Sequence, residues 1–156
     1  QMVEYLGTPT PAPVLDARTG TGNLTAALLQ SGLMARQIAA VEHDPAQRAV
    51  FRGRFPTVAA TPQCFLDWAA GVADIVHLNG IVMHPPASAA LWHLTAARSL
   101  MSPSTILVAL VPSSLEIPGA KVLEHLPTDA LPGRWTIVRI SRKDRLSSLP
   151  SRFGLG

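Results

Sequence analysis

Apolar and polar positions alternate along this chain in blocks, and the period within the blocks switches between that of a strand and that of a helix. Val14-Leu15-Asp16 is a short apolar run ending in an acid. It crosses Arg18-Thr19-Gly20-Thr21-Gly22 and enters Leu24-Thr25-Ala26-Ala27-Leu28-Leu29, which has the spacing of an amphipathic helix. The pattern predicts a helix from about Asn23 to Ser31, with Asn23 as N-cap and Gly32 as the C′ residue. Gln37 to Val41 reads as a second strand ending at Glu42, and Asp44-Pro45 as the N-cap and first residue of a helix reaching Arg54. In that helix Val50 and Phe51 are expected to face inward and Arg48, Arg52 and Arg54 mostly outward. Val58 to Ala60 reads as a third strand and Ala73 to Asn79 as a fourth. Ala90, Leu94, Ala97 and Met101 form one apolar stripe, so a helix is expected over Ser88 to Met101, stopped by Ser102-Pro103-Ser104. Ile106 to Val111 is apolar throughout, as a strand covered on both faces should be. Val122 to Leu126 and Trp135 to Ile140 look like two strands joined through Thr128 to Gly133.

Alternating strands and helices followed by a hairpin imply an α/β chain with a three-layer, mostly parallel sheet and a C-terminal antiparallel hairpin. Strands one, two, four and Ile106 to Val111 are expected as parallel neighbours, with the Trp135 strand antiparallel near an edge. A single domain is expected over residues 1–156, with an irregular lead-in over 1–12 and a basic tail over 143–156. Pro112 to Lys121 is too short and proline-broken for a full helix.

The chemistry concentrates where strands end. Gly20 and Gly22 can take positive φ and let a ligand lie against the backbone, ahead of the free N–H groups of a helix start. About 20 residues on, Glu42 ends the next strand, where a dinucleotide-like site keeps the carboxylate that accepts ribose hydroxyls. Glycine turns of this kind also occur in plain surface loops, and an acid at a strand end can simply be exposed.

Val14 to Thr25, Val41-Glu42-His43-Asp44-Pro45 and Phe65-Leu66-Asp67-Trp68 together resemble the class I S-adenosylmethionine-dependent methyltransferases, closest in flavour to the N6-adenine methyltransferases. Gly20-Thr21-Gly22-Asn23-Leu24-Thr25 is also similar to rRNA adenine dimethylases, and the likeness spans roughly Pro13 to Arg142. It implies a Rossmann-like fold and an S-adenosylmethionine site in which Asp16, Gly20 and Gly22 match the motif at the methionine end. Glu42 matches the ribose acid, and Cys64 and Phe65 the positions beside the adenine ring. Two departures stand out: Arg18 replaces a glycine or serine, and Cys64 replaces an acid. The family's catalytic motif is Asn or Asp, then Pro-Pro, then an aromatic residue, after the fourth strand. Here Asn79 lacks its Pro-Pro, while Pro85-Pro86 follow His84 and precede Ala87, so the catalytic candidates Asn79, Pro85 and Pro86 do not form one intact motif. The resemblance therefore implies either a methyltransferase acting on a nucleic-acid amine with weak or lost activity, or an inactive methyltransferase-like fold serving as a subunit beside a protein partner.

Composition narrows this further. At 47% hydrophobic and 15% charged residues the chain is not a disordered one, and no apolar run approaches the 18 residues a membrane span needs. A single cysteine, Cys64, excludes an internal disulfide, and no signal-peptide pattern opens the chain, so a cytoplasmic setting is expected. The chain opens on Gln1, and a trimmed or processed N-terminus is the expectation. Net charge is +3, with the excess late in Arg139, Arg142, Lys143, Arg145 and Arg152; such a tail suits phosphates, but without interleaved aromatics it reads first as a solvated terminus. His43, His77, His84, His93 and His125 show no metal-ligand spacing, so no metal is expected. The serines lack a hydrolase elbow, and Trp68, Trp92 and Trp135 read as core aromatics.

Overall fold

The computed structural model describes residues 2–73, 76–127, 129 and 131–141. Seven strands form one sheet in the order β3-β2-β1-β4-β5-β7-β6. They are β1 (Val14–Asp16), β2 (Ile38–Val41), β3 (Ala60–Thr61), β4 (Gly80–Met83), β5 (Ile106–Pro112), β6 (Ala120–His125) and β7 (Trp135–Ile140). The first five are parallel, and β7 runs antiparallel to both β5 and β6, as the strand pattern predicts. Helices α1 (Asn23–Gln30), α2 (Pro45–Arg54), α3 (Phe65–Val72) and α4 (Ala90–Ser99) supply the outer layers.

The sheet's apolar runs are continuous because both faces are covered. Leu15, Ile81, Leu107 and Ala109 point to one side, where Phe65 and Ala69 of α3 and Leu94 and Ala97 of α4 close over them. Val14, Val82, Val108 and Leu110 point to the other, under Leu28 of α1 and Phe51 of α2. Enclosing a side chain such as Phe51 removes it fully from water and contributes roughly 1.5–3 kcal/mol. Strand order runs outward from β1 in both directions, so the carboxyl ends of β1 and β4 flank the switch point where sheets of this kind open a crevice.

Helix ends follow local chemistry. Asp44 Oδ1 accepts the Ala46 and Gln47 N–H groups at 2.8 and 3.1 Å, which with Pro45 starts α2 and holds the Asp44 carboxyl below its usual range. Gly32, at φ 106°, ends α1 as expected, donating to Leu29 while Leu33 donates to Leu28. The start of α1 differs from expectation. Its N-cap is Gly22 at φ 103°, and Asn23 is already helical, with its Oδ1 accepting from Arg54 at 3.2 Å. A Cβ on Gly22 would stand 2.5 Å from Phe55 and 2.9 Å from Phe51. Gly22→Ala is therefore expected to cost roughly 2–4 kcal/mol, from left-handed strain plus overpacking, and urea unfolding measures it; an unchanged midpoint contradicts this packing.

Four further expectations are corrected. The lead-in is irregular only in part: Met2–Leu6 is a 3-10 helix whose Val3 and Leu6 are buried on the α1 face of the sheet, and residues 7–12 form no helix or strand. Val50 is 50% exposed, because only Phe51 of that pair lies on the buried stripe. The third strand begins at Ala60, since Val58 turns into the core before pairing starts. The fourth strand is Gly80–Met83 rather than Ala73 to Asn79, residues 74 and 75 of which lie outside the described residues. Gly80 is a strand residue pressed on its neighbours, where a Cβ would sit 3.1 Å from Val14 and 3.4 Å from Leu6. The basic tail from Arg142 onward also lies outside the described residues.

Candidate functional site

Asp16 closes β1 and is fully buried. Its Oδ2 accepts the Thr25 hydroxyl at 2.8 Å, while Oδ1 has no hydrogen-bond partner. Burial pushes its pKa up to about 7, against the pull of the Thr25 hydrogen bonds. The following turn folds back over it: Ala17 N–H donates to Val82, Thr19 N–H to Val41, and the Thr19 hydroxyl to the Asp16 carbonyl at 3.3 Å. The glycine turn is thereby tied to both strands that flank β1.

Glu42 lies one residue past β2 and is 6% exposed. Its Oε2 accepts the Gly20 N–H at 2.8 Å and its Oε1 the Asp44 N–H at 2.9 Å. One carboxylate thus braces the glycine turn and the start of α2 together, and each oxygen keeps a lone pair for a further donor. A cleft of about 210 Å³ opens beside it. Its walls include Arg18 from the glycine turn, Glu42, Cys64 and Phe65 at the start of α3, Pro86 beyond β4 and His93 of α4. The Phe65 ring stacks on His93 at 5.9 Å between centroids. Burial, and then the Arg18 guanidinium, holds the His93 imidazole below its ordinary pKa.

Of the candidate residues, Glu42, Cys64, Phe65 and Pro86 meet around this cleft. Asp16 lies enclosed under the turn, and Pro85 is buried beside Pro86. Gly20 reaches the cleft through its bond to Glu42, whereas Gly22 packs against α2. Asn79 is not brought to them. It precedes β4, at the amino end of the sheet, about 16 Å of strand away from His84. There its Nδ2 donates to the Ala12 carbonyl and its Oδ1 accepts the Ser104 hydroxyl at 3.4 Å. The side chain ties the lead-in to the turn before β5. With β4 ending at Met83, the segment beside the switch point is His84-Pro85-Pro86-Ala87.

Sequence reasoning missed two residues here. His84 is half-buried and stands edge-on to Trp135, with centroids 5.0 Å apart and planes at 88°. Burial, reinforced by Arg18, lowers its pKa and keeps the ring neutral near pH 7. Trp135 is only half-buried: it packs on the edge of the core and also borders open space; Trp92, at 73% exposed, is not a core aromatic. The available signal was the end of the apolar run at Met83, which sets His84 directly after the strand and ahead of Pro85-Pro86. Among the described residues no three His, Cys, Asp or Glu side chains gather as metal ligands, and no helix is long and apolar enough to cross a membrane.

No protein-family model matches the sequence, and no curated protein does. Solved structures do. A Haemophilus influenzae protein provisionally named a methylase shares 14% identity over 88% of this chain and 85% of its own, at a TM-score of 0.69. A ribosomal protein L11 methylase from Lactobacillus delbrueckii subsp. bulgaricus gives 16%, 90%, 74% and 0.66 in the same terms. The 23S rRNA methyltransferase ErmE gives 16%, 88%, 64% and 0.64. Strand order, the antiparallel C-terminal hairpin and these matches agree: the chain has the Rossmann-like fold of the class I S-adenosylmethionine-dependent methyltransferases.

Proposed function

We propose that this chain binds S-adenosylmethionine and methylates an amine of a nucleic acid, with adenine N6 as the target. One observation carries the reading: at the switch point, an acid with an unpartnered buried oxygen, a strand-end carboxylate and a Pro-Pro segment converge from β1, β2 and β4. The donor set suits the cofactor. Glu42 keeps lone pairs for the ribose hydroxyls, Phe65 and Pro86 offer apolar surface to the adenine ring, and Asp16 Oδ1 lacks the donor that a ligand ammonium supplies. Arg18 brings a guanidinium into the same cleft, a like charge to a sulfonium and an opposite one to the methionine carboxylate. When bound, the cofactor supplies an electrophilic methyl group. The chain's own part is to hold the acceptor nitrogen in line with it. Cys64, partly exposed at the cleft, goes with a reducing compartment such as the cytoplasm.

Turnover by the chain alone is expected to be slow, because His84 occupies the place of the amine-orienting amide and Ala87 that of the aromatic residue. A misplacement of about 1 Å can lower a rate a hundredfold. A second reading, a binding subunit without catalysis, draws on the engagement of both Glu42 oxygens by backbone N–H groups and on Arg18 in the cleft. Incubation with methyl-labelled S-adenosylmethionine and RNA or DNA separates them. Transfer to adenine that disappears in His84→Ala supports the enzyme; no transfer to any nucleic acid, with the cofactor bound, supports the subunit.

A further inference from the structure

Consecutive residues after β4 border different spaces. Pro86 lines the smaller cleft, whereas Ala87 lines a second cavity of about 560 Å³. Across that cavity stand Pro112, Ser113 and Ser114 at the end of β5, and Arg134 and Trp135 at the start of β7. The Trp135 indole is held firmly: its Nε1–H donates to the Pro132 carbonyl at 2.6 Å, and His84 meets it edge-on. His84 touches the ring that lines one space and senses the charge of Arg18, which lines the other.

We propose that the larger cavity receives the acceptor, an unpaired purine base on a single-stranded RNA, with Trp135 as its stacking ring and Arg134 meeting the adjacent phosphate. The inference rests on the methyltransferase reading above. Ala87 leaves open the space that an aromatic side chain would fill, and Trp135 brings a ring to that space from a different strand. A fixed indole and an exposed cation on one wall form the stacking-plus-phosphate pair by which proteins hold single strands. A base must leave its duplex before an exocyclic amine can reach a buried reacting group, so an open cavity beside His84 suits an unpaired strand. His84, with its imidazole neutral, offers a lone pair to an acceptor N–H.

Fluorescence anisotropy of a labelled ten-nucleotide oligoadenylate RNA tests this on the full chain, alongside calorimetry with S-adenosylhomocysteine. Trp135→Leu is expected to weaken RNA binding roughly tenfold or more, and Trp135→Phe to keep most of it. Arg134→Ala, at an exposed position, is expected to weaken binding and to reduce the salt slope by about one. S-adenosylhomocysteine affinity should stay unchanged in all three. Wild-type affinity for RNA in Trp135→Leu, or no RNA binding by the wild type, overturns the proposal. Should Trp135→Leu fail to fold, unchanged RNA affinity and salt slope in Arg134→Ala overturn it instead. RNA loss in the variants with no cofactor binding by the wild type leaves the cavity proposal standing and removes the cofactor reading; cofactor binding with RNA affinity indifferent to both residues does the reverse.

Discussion

S-adenosylmethionine should bind this chain roughly tenfold more tightly at about pH 8 than at about pH 6. The cause is Asp16, whose pKa burial raises to about 7. A ligand ammonium needs the carboxylate, and below that pKa most molecules carry the acid instead. Asp16 is enclosed, so this contact requires the glycine turn folded over it to shift when the ligand binds. Stability runs the opposite way. The unfolded carboxyl titrates near 3.8 and the folded one near 7, so between those values the folded chain holds the extra proton. Stability therefore falls as pH rises through that window and levels above it, by on the order of 4 kcal/mol in all. Asp16→Asn keeps an acceptor for Thr25 and removes the titration, so both pH dependences should flatten while cofactor affinity drops. Calorimetry across pH checks the first effect and urea unfolding the second. Equal affinities at both pH values would remove Asp16 from the site.

Glu42→Ala should produce the other large loss. It leaves the Gly20 and Asp44 N–H groups without their acceptor and removes the proposed ribose partner from the cleft. An orphaned backbone donor costs about 1–3 kcal/mol, so two place the loss at roughly 2–6 kcal/mol, with each kcal/mol lowering the melting temperature by about 2–4 °C. Cofactor affinity should fall about tenfold or more. Glu42→Gln separates the two effects. Its single amide oxygen can brace only one of the two N–H groups, so it should recover part of the stability yet still bind the cofactor poorly. Wild-type affinity in Glu42→Gln would assign this residue to the fold alone.

Much of this was legible because local signals agreed with the global arrangement. Asp44-Pro45 starts α2 as its chemistry demands, Gly32 ends α1, and the unbroken apolar run of β5 declares a strand covered on both faces. Errors arose where tertiary contact overrode local character. The sequence pattern ends the fourth strand at Asn79, but the strand begins at Gly80, where Val14 and Leu6 crowd the position within the sheet. Misplacing that strand put Asn79 at a carboxyl end, when it ties down the lead-in at the amino end. The ring of Trp135 meets His84 across about 50 residues of chain, and no periodicity reports such a pairing. The likeness to solved structures, at 14–16% identity, carries the fold, while the roles of single residues rest on the geometry around them.

Calorimetric titration of the wild-type chain with S-adenosylhomocysteine, repeated on Glu42→Gln and Asp16→Asn, tests the central claim most directly. The expected result is one-to-one binding by the wild type, tighter at about pH 8 than at about pH 6 and weakened about tenfold or more in each variant. No heat at millimolar ligand, or binding that ignores both carboxylates, would contradict it.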